Sequence, residues 1–114
     1  MRPLLIVDAA NVMGSVPDGW WRDRPAAAER LRDSLVPQAK DYDVRLVVEG
    51  KARGISSIPG VPVHAASGSG DDAIVELVAA EPGRRRVVVT ADRALRERVK
   101  ALGAEVIGPR AIRG

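Results

Sequence analysis

The feature that most constrains the fold is a series of short apolar runs, most of them closed by a polar residue. Leu4-Leu5-Ile6-Val7 ends at Asp8, Val44-Arg45-Leu46-Val47-Val48 at Glu49, Val61-Pro62-Val63 near His64, and Arg86-Val87-Val88-Val89 at Thr90; Glu105-Val106-Ile107 is a shorter last run. Such runs, rich in β-branched residues, read as strands of a parallel sheet buried on both faces. Helical spacing fills most of the intervals. The stretch 26–40 sets Ala27, Leu31, Leu35 and Val36 on one stripe, 72–80 sets Ile74, Leu77 and Val78 together, and 93–102 carries Leu95, Val99 and Leu102. Alternating strands and helices predict an α/β protein, a three-layer α/β/α sandwich around a mostly parallel sheet of about five strands with right-handed crossovers. Between the second and third strands, residues 50–60 hold three glycines, two serines and a proline, and read as a flexible loop. With 114 residues and no internal repeat or linker, the chain is expected to form a single domain over 1–114.

In an open α/β sheet, ligands bind at the carboxyl ends of the strands, so the residues that close the runs carry the functional information. These are Asp8, Glu49, and Thr90 with Asp92; the doublet Asp71-Asp72 opens a helix that starts on the same edge. Five carboxylates crowded on one side disfavour one another's ionised forms unless a cation intervenes. With no cysteine and one histidine in the chain, oxygen donors predict a hard ion, Mg²⁺ or Mn²⁺. Such ions, held by carboxylates, bind substrate phosphates and activate water; phosphodiester hydrolysis is the expected chemistry. Each acid also has a purely structural reading, as a turn residue or a helix N-cap. That reading weakens when it must place all of them at one edge.

Charge and aromatic content bear on the substrate. Lys plus Arg number 18 against 15 acids, a net charge of +3, and 15 of the 18 are arginine, whose planar fork suits phosphate. Arg22, Arg24, Lys51, Arg53 and Arg93 fall in loops and helix starts at the acidic edge and are candidate substrate-binding residues. The run Arg84-Arg85-Arg86 falls at the opposite edge and reads as a solvated turn. Only three aromatics are present and no phenylalanine, so nucleic acid is expected to be held mainly by its backbone. Trp20 and Trp21 either pack the first loop or stack on a base. Glu76 and His64 are read as an exposed helical acid and a packed or turn histidine. The apolar run at 3–7 is far too short for a signal sequence or membrane span, and the absence of cysteine suits a reducing interior; a cytoplasmic protein with no membrane association is expected.

The segments IVDAANVMG, with Asp8 and Asn11, LVVEG at 46–50, SGSGDDAIVELV at 67–78 and VVVTADRALRERVKALGAEVIGP at 87–109 resemble, in order and over nearly the whole chain, the blocks of NYN domains. These are PIN-like nucleases that include the bacterial YacP-type ribonucleases. The resemblance implies a PIN/Rossmann-like sheet and a metal-dependent ribonuclease acting on RNA. It implies that Asp8, Asp72 and Asp92 bind metal, with Asp71 a fourth acid, Asn11 an orienting side chain and Thr90 lining the pocket beside the metal. Glu49 stands where the family usually has aspartate, and its extra methylene leaves direct or water-mediated ligation open. Adjacent helical residues point about 100° apart, so one of Asp71 and Asp72 is expected to ligate while the other caps or binds through water. The alternative function is a catalytically weak or inactive nucleic-acid-binding module of the same fold. A receiver-like signalling domain fits less well, because Glu49 stands where a phosphoacceptor aspartate is needed. A dinucleotide-binding enzyme is also disfavoured, since Gly68-Ser69-Gly70 lacks the third glycine.

Overall fold

The computed structural model describes residues 1–113. Five strands, β1 (Leu4–Asp8), β2 (Asp43–Val48), β3 (Val63–Ala65), β4 (Arg86–Val89) and β5 (Glu105–Ile107), form one sheet in the order β3-β2-β1-β4-β5. Every pairing is parallel, with Leu4 opposite both Asp43 and Arg86. The helices are α1 (Ala9–Gly14), α2 (Arg24–Ser34), α3 (Gly70–Ala79), α4 (Arg93–Lys100) and α5 (Arg110–Arg113).

Side chains alternate across a strand, so each apolar run feeds two cores. Leu5 and Val7 of β1, Val44, Leu46 and Val48 of β2, and Val87 and Val89 of β4 pack with Val12, Met13, Ala27, Ala28 and Leu31 of α1 and α2. Leu4, Ile6, Val47 and Val88 face the other way, onto Ile74 and Val78 of α3 and Leu95 and Val99 of α4. The sandwich is three-layered, as the alternation of runs and helical stretches predicts.

Differences from the sequence reading have local causes. The helix expected over 26–40 ends at Ser34 and continues as a 3-10 turn, Val36–Lys40, because Pro37 cannot supply an amide to the α-helical ladder; Val36 is consequently exposed. The third strand begins at Val63, not Val61, since Pro62 has no N–H to pair. Residues 50–60 are built rather than featureless: Gly50–Gly54 forms a 3-10 turn with Ala52 buried, and Ile58 bridges Val61. Helix α1 escaped the periodicity because its six residues are too few to show it. Arg86 does not share a solvated turn with its neighbours. It is buried, and its guanidinium donates to the carbonyls of Arg84, Val78 and Leu102 at 2.9, 2.7 and 2.8 Å. A fixed cation thus closes the C-terminal ends of α3 and α4, where the helix dipoles favour it. Arg84 bonds Asp43 at 2.9 Å and the Arg2 carbonyl, and Arg85 pairs with Glu105. At this edge the basic run is therefore structural.

Candidate active site

The sheet order reverses at β1: α1 and α2 carry the chain from β1 to β2 over one face, while α3 and α4, before and after β4, cover the other. The crevice this opens lies at the carboxyl ends of β1 and β4. Asp8, the last residue of β1, is 5% exposed. One carboxylate oxygen accepts the Asn11 amide at 3.4 Å and so caps α1, while the other accepts the Thr90 hydroxyl at 2.9 Å. Thr90 in turn accepts the Asp92 amide at 3.1 Å, and Asp92 caps α4 by accepting from Leu95 at 2.9 Å. Asn11 uses its side-chain oxygen to accept the Ala91 amide at 2.8 Å, tying α1 to the loop after β4. Two strand ends and two helix starts are thereby fixed by one run of hydrogen bonds.

The second half of the site comes from β2 and α3. Gly50, at φ +59°, turns the chain immediately after Glu49. Glu49 reaches across to accept the Gly70 amide at 2.7 Å, one of the unpaired N–H groups of the first turn of α3. Gly70 leaves room for this approach: a Cβ there would stand 3.3 Å from the Glu49 carboxyl carbon, a tight contact that Glu49 would have to yield to. Ser69 caps α3, accepting from the Asp72 amide at 3.2 Å, which leaves Asp71 free of the capping task.

Asp8, Asn11, Glu49, Asp71 and Asp92, with Ala10, line one open pocket of about 250 Å³. Asp72 is not among them. Asp72 pairs with Arg98 at 3.0 Å, so of the doublet it is Asp71, not the expected Asp72, that shares this pocket with Asp8 and Asp92. The roughly 100° between successive helical residues is the reason. Asp71 itself makes no hydrogen bond or ion pair among the described residues. Burial pushes its carboxyl above the usual range, and the charges of Asp92 and Glu49 push it further. Asp8 is raised to about 6, first by burial and then by Asp71 and Glu49, against the lowering bonds from Thr90 and Asn11.

Among the described residues no three Asp, Glu or His side chains stand around one point so as to hold a metal ion; the acids line the pocket walls instead. Their chemistry nevertheless fits a hard divalent cation, being all oxygen, and no bond holds the Asp71 carboxylate back from turning inward.

Thr90, expected to line the pocket beside the metal, is fully buried and lies behind the pocket, bonding Asp8 and the Asp92 amide. Arg22 and Arg24 lie over the rings of Trp21 and Trp20, at 5.6 and 5.5 Å from the centroids. Lys51 and Arg53 project from the exposed 3-10 turn after Glu49, and Arg93 is exposed at the start of α4, beside Asp92. None of these five cations has an ion-pair partner among the described residues. His64, Asp72 and Glu76 border a different cavity, of about 240 Å³. Trp20 is half-buried against the α1–α2 core, whereas Trp21 is 52% exposed. Sequence reasoning missed Ser69 as the cap of α3 and Gly70 as the space for Glu49. The first was legible, since Ser followed by an acid three residues on, ahead of an apolar run, is an N-terminal signature.

No protein-family profile matches the chain, and no curated protein matches it in sequence. Among solved structures it is similar to the crystal structure of Rae1 (YacP) from Bacillus subtilis, a single-substitution mutant. The TM-score is 0.75 at 18% sequence identity, over 98% of this chain and 72% of that one. The chain therefore has a YacP-like fold. No helix among the described residues is long and apolar enough to cross a membrane.

Proposed function

We propose that the protein is a metal-dependent ribonuclease of the NYN type, hydrolysing RNA phosphodiester bonds with Mg²⁺ or Mn²⁺ held at the acidic crevice. One observation carries this reading: Asp71 is kept, without any bonding partner, in a pocket whose other walls are Asp8, Glu49 and Asp92. Helix capping accounts for Asp8 and Asp92, and Glu49 also satisfies a helix amide. Asp71 caps no helix and accepts no hydrogen bond among the described residues; the N-terminus of α3 and the charge of Arg98 offset only part of the repulsion from Asp92 and Glu49, which a cation would relieve.

Asp8, Asp71 and Asp92 are the proposed ligands, with Glu49 contributing its oxygen not bonded to Gly70, directly or through water. When bound, Mg²⁺ or Mn²⁺ supplies positive charge to the phosphodiester and lowers the pKa of the attacking water. Thr90 holds the Asp8 carboxylate in its orientation, and Asn11 holds the β4–α4 loop that carries Asp92. Lys51, Arg53 and Arg93 border the crevice and draw in the phosphate backbone. The YacP-like fold agrees with the sequence resemblance to YacP-type ribonucleases, and no membrane partner is invoked. A cytoplasmic location remains part of the proposal.

The experiment is cleavage of end-labelled single-stranded RNA by wild type, Asp71→Asn and Asp72→Asn with Mn²⁺ or with EDTA. The reading requires metal-dependent cleavage that Asp71→Asn abolishes and Asp72→Asn leaves within a few fold. A binding module instead retains RNA in all three without any product.

A further inference from the structure

A further cavity, of about 420 Å³, opens beside the acidic pocket, and Ala10 and Glu49 line both. Beyond that shared wall its character changes. Met13 and Ala52 form an apolar lining, Gly50 and Gly68 leave the sides open, and Trp20 with Arg24 stands at the remaining wall. A Cβ built on Gly68 would meet nothing within 4 Å. The Arg24 guanidinium lies 5.5 Å from the Trp20 ring centroid and has no ion-pair partner among the described residues. Its volume falls within the ~300–1,000 Å³ range of small-ligand sites.

We infer that this slot receives an unpaired nucleobase of the RNA strand, from the nucleotide adjoining the phosphate at the acidic crevice. The inference rests on the proposed nuclease reading for its substrate and adds the base-binding component. Three features fit this occupant. The slot is continuous with the crevice, so one strand can place its phosphate by the acids and its neighbouring base by Trp20. Its lining is apolar, which suits a planar ring face. The guanidinium at the wall offers stacking and cationic contact to that ring, or a fork to its carbonyl edge. A base inside a duplex cannot enter, so the substrate is single-stranded at the cut. This adds to the expectation that nucleic acid is held mainly by its backbone: one base is held in the slot, and the rest of the strand by its phosphates.

The chain has two tryptophans, so Trp21→Phe leaves Trp20 as the sole fluorophore of the slot. The test titrates this protein, without metal in EDTA, with adenosine, cytidine and base-free ribose. Saturable quenching by the nucleosides and none by ribose is expected. Adding Arg24→Ala should weaken the nucleosides roughly tenfold, the scale of one base stack, whereas Arg85→Ala, at the opposite edge of the sheet where Arg85 pairs with Glu105, should leave them unchanged. In RNA, an abasic nucleotide at one position next to the cut should cost a similar factor in affinity measured in Ca²⁺. Quenching that never saturates, equal quenching by ribose, or equal losses in the two arginine variants overturns the inference. Saturable nucleoside binding without metal-dependent cleavage keeps the slot and removes the nuclease reading. Cleavage and binding indifferent to every abasic position do the reverse.

Discussion

At the scale of single residues, the site is distinguished by what its acids are not bonded to. Asp71 and Asp72 are neighbours in sequence, yet one faces three carboxylates and the other an arginine. Asp71→Asn should therefore raise the metal-free melting temperature while abolishing cleavage, and Asp72→Asn should do neither; calorimetry in EDTA checks the first half. Asp8 makes the pH dependence explicit. Its folded pKa of about 6 lies above the ordinary 3.8, so the fold prefers its protonated form. The associated stability is complete below about pH 4 and is lost as pH rises through about 6, a loss of about 3 kcal/mol for a shift of this size. Asp43 acts in the opposite sense. The hydrogen bond from Arg45, with help from Arg84, lowers its pKa, and its contribution is present above the ordinary carboxylate pKa and lost as pH falls. Urea titrations at pH 5 and pH 8 in EDTA should show wild type weaker at pH 8 and Asp8→Asn much less so; equal slopes with pH in both would refute the assignment.

At the scale of elements, the central strands β1, β2 and β4 were readable because their apolar runs are buried on both faces, and the acids were found because the same rule that buries the run leaves its last residue at a ligand-binding edge. What could not be read was direction around a helix turn. Choosing between Asp71 and Asp72 required knowing that Ser69 caps α3 and that Arg98 on α4 reaches Asp72, the second being a contact 26 residues away. Arg86 was misread for a similar reason: nothing in Arg84-Arg85-Arg86 distinguishes the residue that points between two helix ends. Arg86→Met keeps the aliphatic packing but orphans the Val78 and Leu102 carbonyls. It should cost about 3 kcal/mol in equilibrium unfolding, the range for buried bonds from a charged donor, with the secondary structure unchanged. A cost below about 0.5 kcal/mol would mean that water replaces the guanidinium.

At the scale of the whole molecule, the small net charge of +3 conceals a division: acids line the crevice at the carboxyl edge, and Lys51, Arg53 and Arg93, with no ion-pair partner among the described residues, follow Glu49 and Asp92 along the chain. Replacing Lys51 or Arg53 by alanine should weaken single-stranded RNA alike for every sequence and reduce the salt slope by roughly 0.7 per lost phosphate contact, read from binding in Ca²⁺ at several salt concentrations. An unchanged slope would place the strand's path elsewhere. The topology gathers the crevice residues, since the β1–β4 switch point brings together positions 8 to 92 through hydrogen bonds. The central claim is that the four acids, Asp71 above all, form a divalent-metal site that cleaves RNA. The most direct measurement is the rate of single-stranded RNA cleavage with Mn²⁺ by wild type and Asp71→Asn, both shown folded by their melting curves. The account predicts cleavage by wild type that EDTA stops, and a loss of more than about a hundredfold in the variant, at the upper end of what even an outer-sphere metal contact is worth. Cleavage that survives EDTA, or an Asp71→Asn protein as fast as wild type, would contradict it.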